Sequence, residues 1–319
     1  MTATPFDSAH LHRLFSPGDL GRLFSDSAEI RAGMIVLGTL AKVQGTAGLI
    51  PEVSAQAIHR ASLELQIDPG GLAAATAVDG TPVPALVASF RDLMQAPEHA
   101  QHLCHGVPPS DVADCALMLR LRQALSLCET ELAALLQTLA TAGDAAAIEA
   151  CGWPLLALRD ELTELRASGL PVALRMEGAL ESAGPLRESL AAALNLHLPA
   201  DGWPGTRAPL ARIAGWTARL IAALAALGQV AEAGDQGPAR AALVALDRHA
   251  SALEGALAAA PDGAAGRFQE WLALPQIMLS GGSALRHARA LAETLAPGEA
   301  TGDAQRFAGA VQGSAVQGG

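Results

Sequence analysis

The chain has 319 residues, of which half are apolar, but only 3% are aromatic and none is tyrosine. Its formal net charge is −11 and its single lysine is Lys42, which argues against nucleic acid as a partner, because phosphate binding needs a basic face. The apolar residues are mostly Ala and Leu, the strongest helix formers, and segments rich in β-branched and aromatic residues are scarce. The composition therefore predicts an all-α protein.

The remaining bulk features predict a reduced cytoplasmic protein with no membrane partner, metal or other cofactor. Met1–Leu20 contains His, Asp and Pro in place of a secretory signal. The most apolar stretch, Leu220–Val230, is about a dozen residues, whereas a membrane-spanning helix needs about 20. His10 and His12 lack an evident third metal ligand. The cysteines are too far apart for a CxxC motif and are predicted to be structural thiols: Cys104, Cys115, Cys128 and Cys151.

Helix signals divide the first hundred residues into short elements. Ser25–Glu29 offers capping side chains and an acid in the first turn, as helix starts require. The helices are predicted from there to Gly45 or Gly48, from Pro51 to Leu65, from Asp68–Pro69 onward, and from Thr81–Pro84 to about Gln95. Together they form a small helical N-terminal region, residues 1–106.

Longer helices are predicted after the break at Gly106–Pro109. Ser110 and Asp111 cap a helix to about Thr141 whose apolar residues recur every three or four positions. Further patterns run to about Ala167 and over Pro185–Leu196, Thr206–Ala233, Pro238–Ala260 and Gly266–Leu295. Residues 107–296 are therefore predicted to form an elongated bundle of long helices, and residues 297–319 a disordered, frayed tail.

The stretch Ile213–Val230 carries few charges. A helix that is apolar on most faces must be buried on most faces, either inside the bundle or in a subunit interface. We therefore expect the protein to be oligomeric.

One segment carries a family resemblance. Asp111–Arg122 resembles the stretch that opens the first long helix of the 3-carboxy-cis,cis-muconate cycloisomerases, in the fumarase/aspartase superfamily. Other segments agree with that family in the same order and extend the resemblance over roughly residues 5 to 295: Pro5–Asp7, Leu23–Ser25, Asp79–Val87, Ile213–Trp216 and Glu270–Gln276.

The resemblance implies a bundle built by four subunits, with active sites assembled from three chains. It also implies lactonisation of 3-carboxymuconate in protocatechuate breakdown, which needs a base and donors for the substrate carboxylates. The expected partner is the chain itself, in a homo-oligomer expected to be a tetramer, or an intact homologous cycloisomerase.

The sequence departs from this family where the catalytic residues belong. The family's histidine before the long helix is here Cys104, and its Thr-Ser pair is Pro108–Pro109, which has neither hydroxyls nor backbone N–H groups. Asp111 is the surviving end of that motif. His105 is the candidate for a replacement base, although a loop histidine beside a helix start is more often solvated.

Three further motifs are replaced, and the chain is expected to be shortened there. Thr141–Ala150 is Ala-rich where the family has a Thr-x-x-Gln loop, and Gly228–Pro238 lacks the Ser-Ser pair and lysine of the mobile catalytic loop. Ala259–Asp262 replaces a Gln-Arg segment. In Trp203–Arg207 the family's histidine has become proline, whereas Arg207 survives.

These departures leave three interpretations. The leading one is a pseudoenzyme that keeps the helical scaffold as a regulatory or stabilising subunit. The second is an active cycloisomerase or lyase with a site rebuilt from His105, Asp111 and Arg207. The third is a weak carboxylate-binding protein in which Arg207 holds the ligand. An arginine at a helix start more often pairs with a nearby acid, however.

Overall fold

The computed structural model describes residues 4–174, 183–199, 207–230, 236–261, 263–296 and 302–315. Within these ranges the protein is helical, and an isolated parallel bridge between Pro171 and His197 is the one β-type pairing. This confirms the prediction of an all-α helical bundle.

The helix bounds agree with the predicted ones to within a few residues, except at the C-terminus. The α-helices are α1 Leu20–Leu23, α2 Asp26–Thr46, α3 Glu52–Glu64, α4 Ala73–Asp79, α5 Val83–Met94, α6 Pro97–Ala100, α7 Pro109–Ala142, α8 Ala145–Ala147, α9 Trp153–Ser168, α10 Ala183–Leu194, α11 Ala208–Val230, α12 Gly237–Ala258, α13 Ala264–Ala292 and α14 Gly302–Ala315. A 3-10 turn, Pro69–Leu72, precedes α4, and a π-helical turn, Ile148–Gly152, precedes α9.

Local chemistry explains where the helices begin and end. The Ser25 hydroxyl accepts a hydrogen bond from the Ala28 N–H (3.3 Å) and caps α2. Helix α7 ends at Gly143, whose φ of 66° is the left-handed conformation that glycine adopts without strain. Asp144 then caps α8, because its carboxylate accepts from the Ala147 N–H at 2.7 Å.

The chain forms two compact units. The first, here called the α2 unit, comprises residues 22–123 and 167–206. Its core forms around α2, against which α3 packs closely. A Cβ at Gly38 would lie only 1.9 Å from the Ser62 hydroxyl oxygen, and one at Gly45 only 2.4 Å from the Ala55 Cβ. Glycine at these two positions therefore allows the close approach of the helices.

The second unit, here called the α13 unit, comprises residues 1–21, 124–166 and 207–319. Its core holds α11, α12 and α13, which pack against one another. Trp216 of α11 is fully buried, and its indole Nε1 donates to the Leu158 carbonyl at 2.9 Å. The buried indole thus keeps its hydrogen bond, as a well-packed core requires.

Helix α11 changes two inferences drawn from the sequence, one about a membrane span and one about a subunit interface. It has 23 residues and is long and apolar enough to cross a membrane, so shortness does not exclude a span. Most of its large apolar side chains are instead buried within this chain, with Ile213, Trp216, Leu220 and Leu224 all 0% exposed. A helix buried in a protein core can be as long and as apolar as one that crosses a membrane. The apolar stretch therefore does not by itself require a subunit interface.

The compact units do not follow the predicted boundary at residue 106. Helix α7 supplies Pro109–Gln123 to the α2 unit and the rest of its length to the α13 unit. The first 21 residues belong with the C-terminal helices and not with the predicted N-terminal region. A helical pattern extends unbroken through such a boundary, so local periodicity cannot mark it.

The prediction of a disordered tail is wrong for residues 302–315. They form α14, which buries Ala304, Phe307 and Val311 at the three- and four-residue spacing of an amphipathic helix. The Phe307 ring meets the Trp153 ring edge to face, with centroids 5.2 Å apart. A Cβ at Gly152 would lie 3.0 Å from Phe307, so glycine makes room for this ring.

Candidate functional site

The loop before α7, in the α2 unit, holds the first candidate residues. Cys104 has a φ of 59° and Gly106 one of 65°, so the chain turns sharply here. The Cys104 thiol donates to the Val107 carbonyl at 3.4 Å. Burial, the largest effect, raises the pKa of this thiol to about 11, although the nearby Arg91 charge opposes the shift. The residue at the family's histidine position is therefore protonated at neutral pH and supplies neither a nucleophile nor a base.

The environment of His105 does not fit the catalytic role proposed for it. Its side chain is exposed, and its backbone carbonyl accepts a hydrogen bond from Gln44 Nε2 at 2.7 Å. Gln44 lies on α2 and is 1% exposed. Residue 105 thus anchors the loop to α2 through its backbone, whereas its imidazole lies at the surface of this unit.

Asp111 lies in the first turn of α7 and is 1% exposed. The Ser110 hydroxyl donates to Asp111 Oδ1 at 3.3 Å. Pro109 begins the helix, a position that suits proline because the first N–H groups have no partner within the helix. An acidic side chain in the first turn also interacts favourably with the helix dipole. This environment gives Asp111 a helix-stabilising role.

Arg207 immediately precedes α11, and its carbonyl accepts from the N–H groups of Leu210 (3.0 Å) and Ala211 (3.1 Å). Its guanidinium Nε and Nη2 donate to the two carboxylate oxygens of Glu270 on α13. The Glu270 side chain is 3% exposed and that of Arg207 is 21% exposed. The surviving arginine is therefore held in a two-point ion pair with a carboxylate of its own chain.

The three predicted residues are divided between the two compact units. His105 and Asp111 lie in the α2 unit, one exposed and the other buried, and Arg207 lies in the α13 unit. Glu270, the partner of Arg207, was not predicted from the sequence. The available signal was its position on α13, because Gly266, Glu270, Ala273 and Leu274 follow the spacing of a single buried helix face.

The other replaced motifs are only partly described. Residues 200–206, 231–235 and 262 lie outside the described residues, so Trp203, Pro204 and the middle of the Gly228–Pro238 segment have no structural account. The Thr141–Ala150 segment folds into the end of α7, α8 and the π-helical turn. Arg240 Nε donates to the Gly228 carbonyl and so joins the end of α11 to α12.

The histidine and cysteine side chains are the remaining candidates for metal-binding and thiol chemistry. In the described part of the chain, no group of three His, Cys, Asp or Glu side chains is arranged to hold a metal ion. His12 Nδ1 lies near the Ser8 and Ala9 carbonyls, at 3.1 and 3.0 Å. Cys115, Cys128 and Cys151 are buried, and burial raises the pKa of each thiol to about 12. These three thiols are therefore unreactive core residues.

Known proteins similar in sequence are cycloisomerases, although no family model matches the chain. A 3-carboxy-cis,cis-muconate cycloisomerase of Pseudomonas putida is 31% identical over 127 residues, which are 39% of this chain and 30% of that protein. The cycloisomerase of Pseudomonas aeruginosa is 29% identical over 128 residues, 40% of this chain and 28% of that protein. The matched segment thus spans less than a third of either relative.

Similarity in fold extends over nearly the whole chain. The 3-carboxy-cis,cis-muconate lactonizing enzyme of Pseudomonas putida superposes with a TM-score of 0.77 and 25% identity, over 93% of this chain and 79% of that one. A fumarate lyase from Mesorhizobium sp. BNC1 shares the fold, with a TM-score of 0.79, 19% identity and coverage of 89% and 77%. In sequence and in fold, the chain therefore fits the lyase superfamily that contains the cycloisomerases and the fumarate lyases, as its resemblance predicted.

Proposed function

We propose that the chain is a catalytically inactive cycloisomerase-like scaffold that acts as a regulatory or stabilising subunit. The observation that carries this proposal is the two-point ion pair between Arg207 and Glu270. An enzyme that acts on a carboxylated substrate needs a cation that can meet the substrate. Here Arg207, the one arginine that matches the family motif, already binds the buried Glu270 carboxylate through its Nε and Nη2 atoms.

The loop before α7 supports the same conclusion. Pro108 and Pro109 provide neither hydroxyls nor N–H groups for a ligand, and the Cys104 thiol stays protonated at neutral pH. The alternative base, His105, is exposed and so lacks the shielding from water that strengthens catalytic electrostatics. Removing one transition-state donor costs roughly a hundred- to a thousandfold in rate, and several are replaced here.

The proposed partner is a second copy of the chain or an intact homologous cycloisomerase. On α13, Phe268, Trp271 and Leu272 are 43%, 40% and 64% exposed. Their spacing of three and four residues places them on one face of the helix. The Phe268 and Trp271 rings contact each other, with centroids 5.5 Å apart. Exposed aromatic residues grouped in this way are typical of subunit contacts.

A lactonisation assay tests the proposal. The purified chain should turn over 3-carboxy-cis,cis-muconate at least about ten-thousandfold more slowly than the Pseudomonas putida enzyme, because at least two donors are missing. Turnover within tenfold of that control would contradict the proposal. If His105→Ala then abolished the turnover, the site would be one rebuilt around His105.

Calorimetric titration addresses the carboxylate-binding alternative. Succinate and citrate should give no heat of binding with the unmodified chain, because Glu270 competes for Arg207 at very high local concentration. Binding that is present in the unmodified chain and lost in Arg207→Ala would favour a carboxylate-binding protein instead.

A further inference from the structure

The segment Ser8–Pro17, here called the N-terminal strap, lies on α13 within the α13 unit. Arg286 Nη2 donates to the carbonyls of Leu14 (2.7 Å) and Arg13 (3.1 Å), and Arg286 Nε donates to that of Ser16 (3.3 Å). One turn earlier, a Cβ at Gly282 would lie 2.6 Å from the Pro17 carbonyl oxygen. The strap is therefore held through its backbone, at a place where α13 has no side chain in the way.

His287 is the second contact between α13 and the strap. It is 5% exposed, and its Nε2 lies 2.7 Å from the Leu14 carbonyl oxygen. A carbonyl oxygen only accepts, so Nε2 carries the hydrogen. Arg286 Nη2 lies 3.3 Å from the same Nε2. Because both nitrogens are donors, the contact between Arg286 and His287 is not a hydrogen bond. It places a permanent positive charge beside the imidazole ring.

The surroundings of His287 disfavour its charged form. Burial is the main reason that its pKa lies below the usual value; the Leu14 hydrogen bond opposes this shift and the Arg286 charge adds to it. Among the described groups, Arg286 is the one charge that acts on the ring. The strap also carries the titratable side chains His10, His12 and Arg13, and Asp7 immediately precedes it. The helices that contact α13 carry Glu131 (α7), Arg219 (α11) and Asp247 (α12), and α13 itself carries Arg289.

From this geometry we propose that the N-terminal strap is an acid-released latch, closed while His287 is neutral and opened when His287 is protonated beside Arg286. In the open state the imidazole is hydrated and regains its ordinary pKa of about 6.5. The closed state binds the proton less readily. Closure is therefore complete above about pH 6.5 and is lost progressively as the pH falls below that value, towards the lowered pKa of the closed state.

Hydrogen–deuterium exchange on the full chain tests the latch. The amides of His12, Leu14 and Phe15 report on it, because they donate to Ser8 and Leu11 carbonyls inside the strap. After correction for intrinsic rates, their opening should increase roughly three- to fivefold between pH 6.5 and 5.5, because a single group with an open-state pKa of about 6.5 allows no more. Peptides from α2 serve as an internal reference and should not change.

Two histidine variants separate the latch from general acid sensitivity. His287→Gln keeps an N–H donor for Leu14 but cannot be charged, so its strap exchange should not depend on pH. His12→Gln removes another histidine of the same segment, so its strap exchange should keep the pH dependence of the unmodified chain even if its absolute rate changes through the lost contacts with Ser8 and Ala9. A wild-type strap whose protection is unchanged down to pH 5.5 would overturn the proposal, and so would an equal loss of protection in His287→Gln.

Arg286→Gln provides a variant that does not alter the titrating group. It removes the hydrogen bonds to Arg13, Leu14 and Ser16, so the strap should exchange faster at every pH. Because the neighbouring charge is also gone, its dependence on pH should be weaker. Strap exchange as slow as in the unmodified chain would show that α13 does not hold the strap in solution.

Discussion

At the scale of single residues, Glu270 decides what Arg207 can bind. Its carboxylate is 3% exposed, and both of its oxygens accept from the guanidinium. We predict that Glu270→Gln lowers the free energy of unfolding by about 2–4 kcal/mol, because it leaves a partly buried guanidinium without its counter-charge. Arg207 is 21% exposed, so water offsets part of the full penalty.

Chemical denaturation checks this prediction, with Glu131→Gln as a matched control. Glu131 forms an ion pair with Arg289 in the same unit, but both side chains are nearly half exposed, so its loss should cost less than about 1 kcal/mol. Replacing both members of the buried pair, in Arg207→Met with Glu270→Met, should recover much of the stability. Equal effects of Glu270→Gln and Glu131→Gln would contradict this account.

The sequence identified one member of this pair and missed the other. Arg207 stands out because it survives in a recognisable motif, whereas Glu270 lies in a segment that matches the family as a whole. Pairing between them depends on α11 and α13 coming together over 63 positions of sequence, which no local pattern encodes. The spacing of apolar residues predicts which face of α13 is buried. It does not predict that Arg207 is the counter-ion of Glu270, the one acidic residue of that helix.

At the scale of helices, α14 contributes to the core through one ring. Phe307 is 0% exposed and contacts Trp153, where Gly152 makes room for it. We predict that Phe307→Ala destabilises the α13 unit by about 2–4 kcal/mol, which lies at or just below the usual range for a buried phenylalanine because α14 is short and can adjust. Thermal denaturation monitored by Trp fluorescence measures the effect.

Gln305→Ala is the control for α14, because Gln305 is exposed on the same helix. It should change stability by no more than about 0.5 kcal/mol. A truncated chain ending at residue 301 should be destabilised at least as much as Phe307→Ala. A truncated chain with the same melting temperature as the unmodified protein would show that α14 does not pack against the rest of the α13 unit.

The missed helix and the predicted ones differ in the strength of their apolar pattern. In α7, leucines recur from Leu117 to Leu139, over about six turns, so the pattern is clear against any background. In α14 the buried positions are Ala304, Phe307 and Val311, and the rest of the segment is small and polar. Its stability comes from tertiary contact with Trp153 and not from propensity, which is why the sequence indicated a frayed end.

At the scale of the whole molecule, we predict that the chain self-associates or joins an intact cycloisomerase through the exposed face of α13. Leu272→Arg places a charge on that face and should convert the multimer to monomers. Leu63→Arg is the control, since Leu63 is 53% exposed on α3 but lies in the other unit. Sedimentation velocity at about 10 µM distinguishes these outcomes, because an unpaired charge buried in an interface is strongly unfavourable.

A monomeric wild-type chain would contradict this prediction if it also failed to co-sediment with the Pseudomonas putida enzyme. If Leu272→Arg and Leu63→Arg dissociated the multimer equally, the subunit contact would not be specific to α13. Neither outcome would alter the assignment of the fold, which rests on similarity over 93% of the chain.

The strap also has a consequence for synthesis of the protein. The strap's partner, Arg286, lies about 270 positions further along the chain. At roughly 5–20 residues per second, a ribosome takes about 15–50 seconds to complete that interval. During this time the α2 unit can begin to fold, whereas the strap and Leu20, whose side chain lies beside Gly282, must wait for α13. The strap is translated long before α13 and is thus among the last segments to reach its native contacts, so chaperones that bind nascent chains have a long opportunity to bind it.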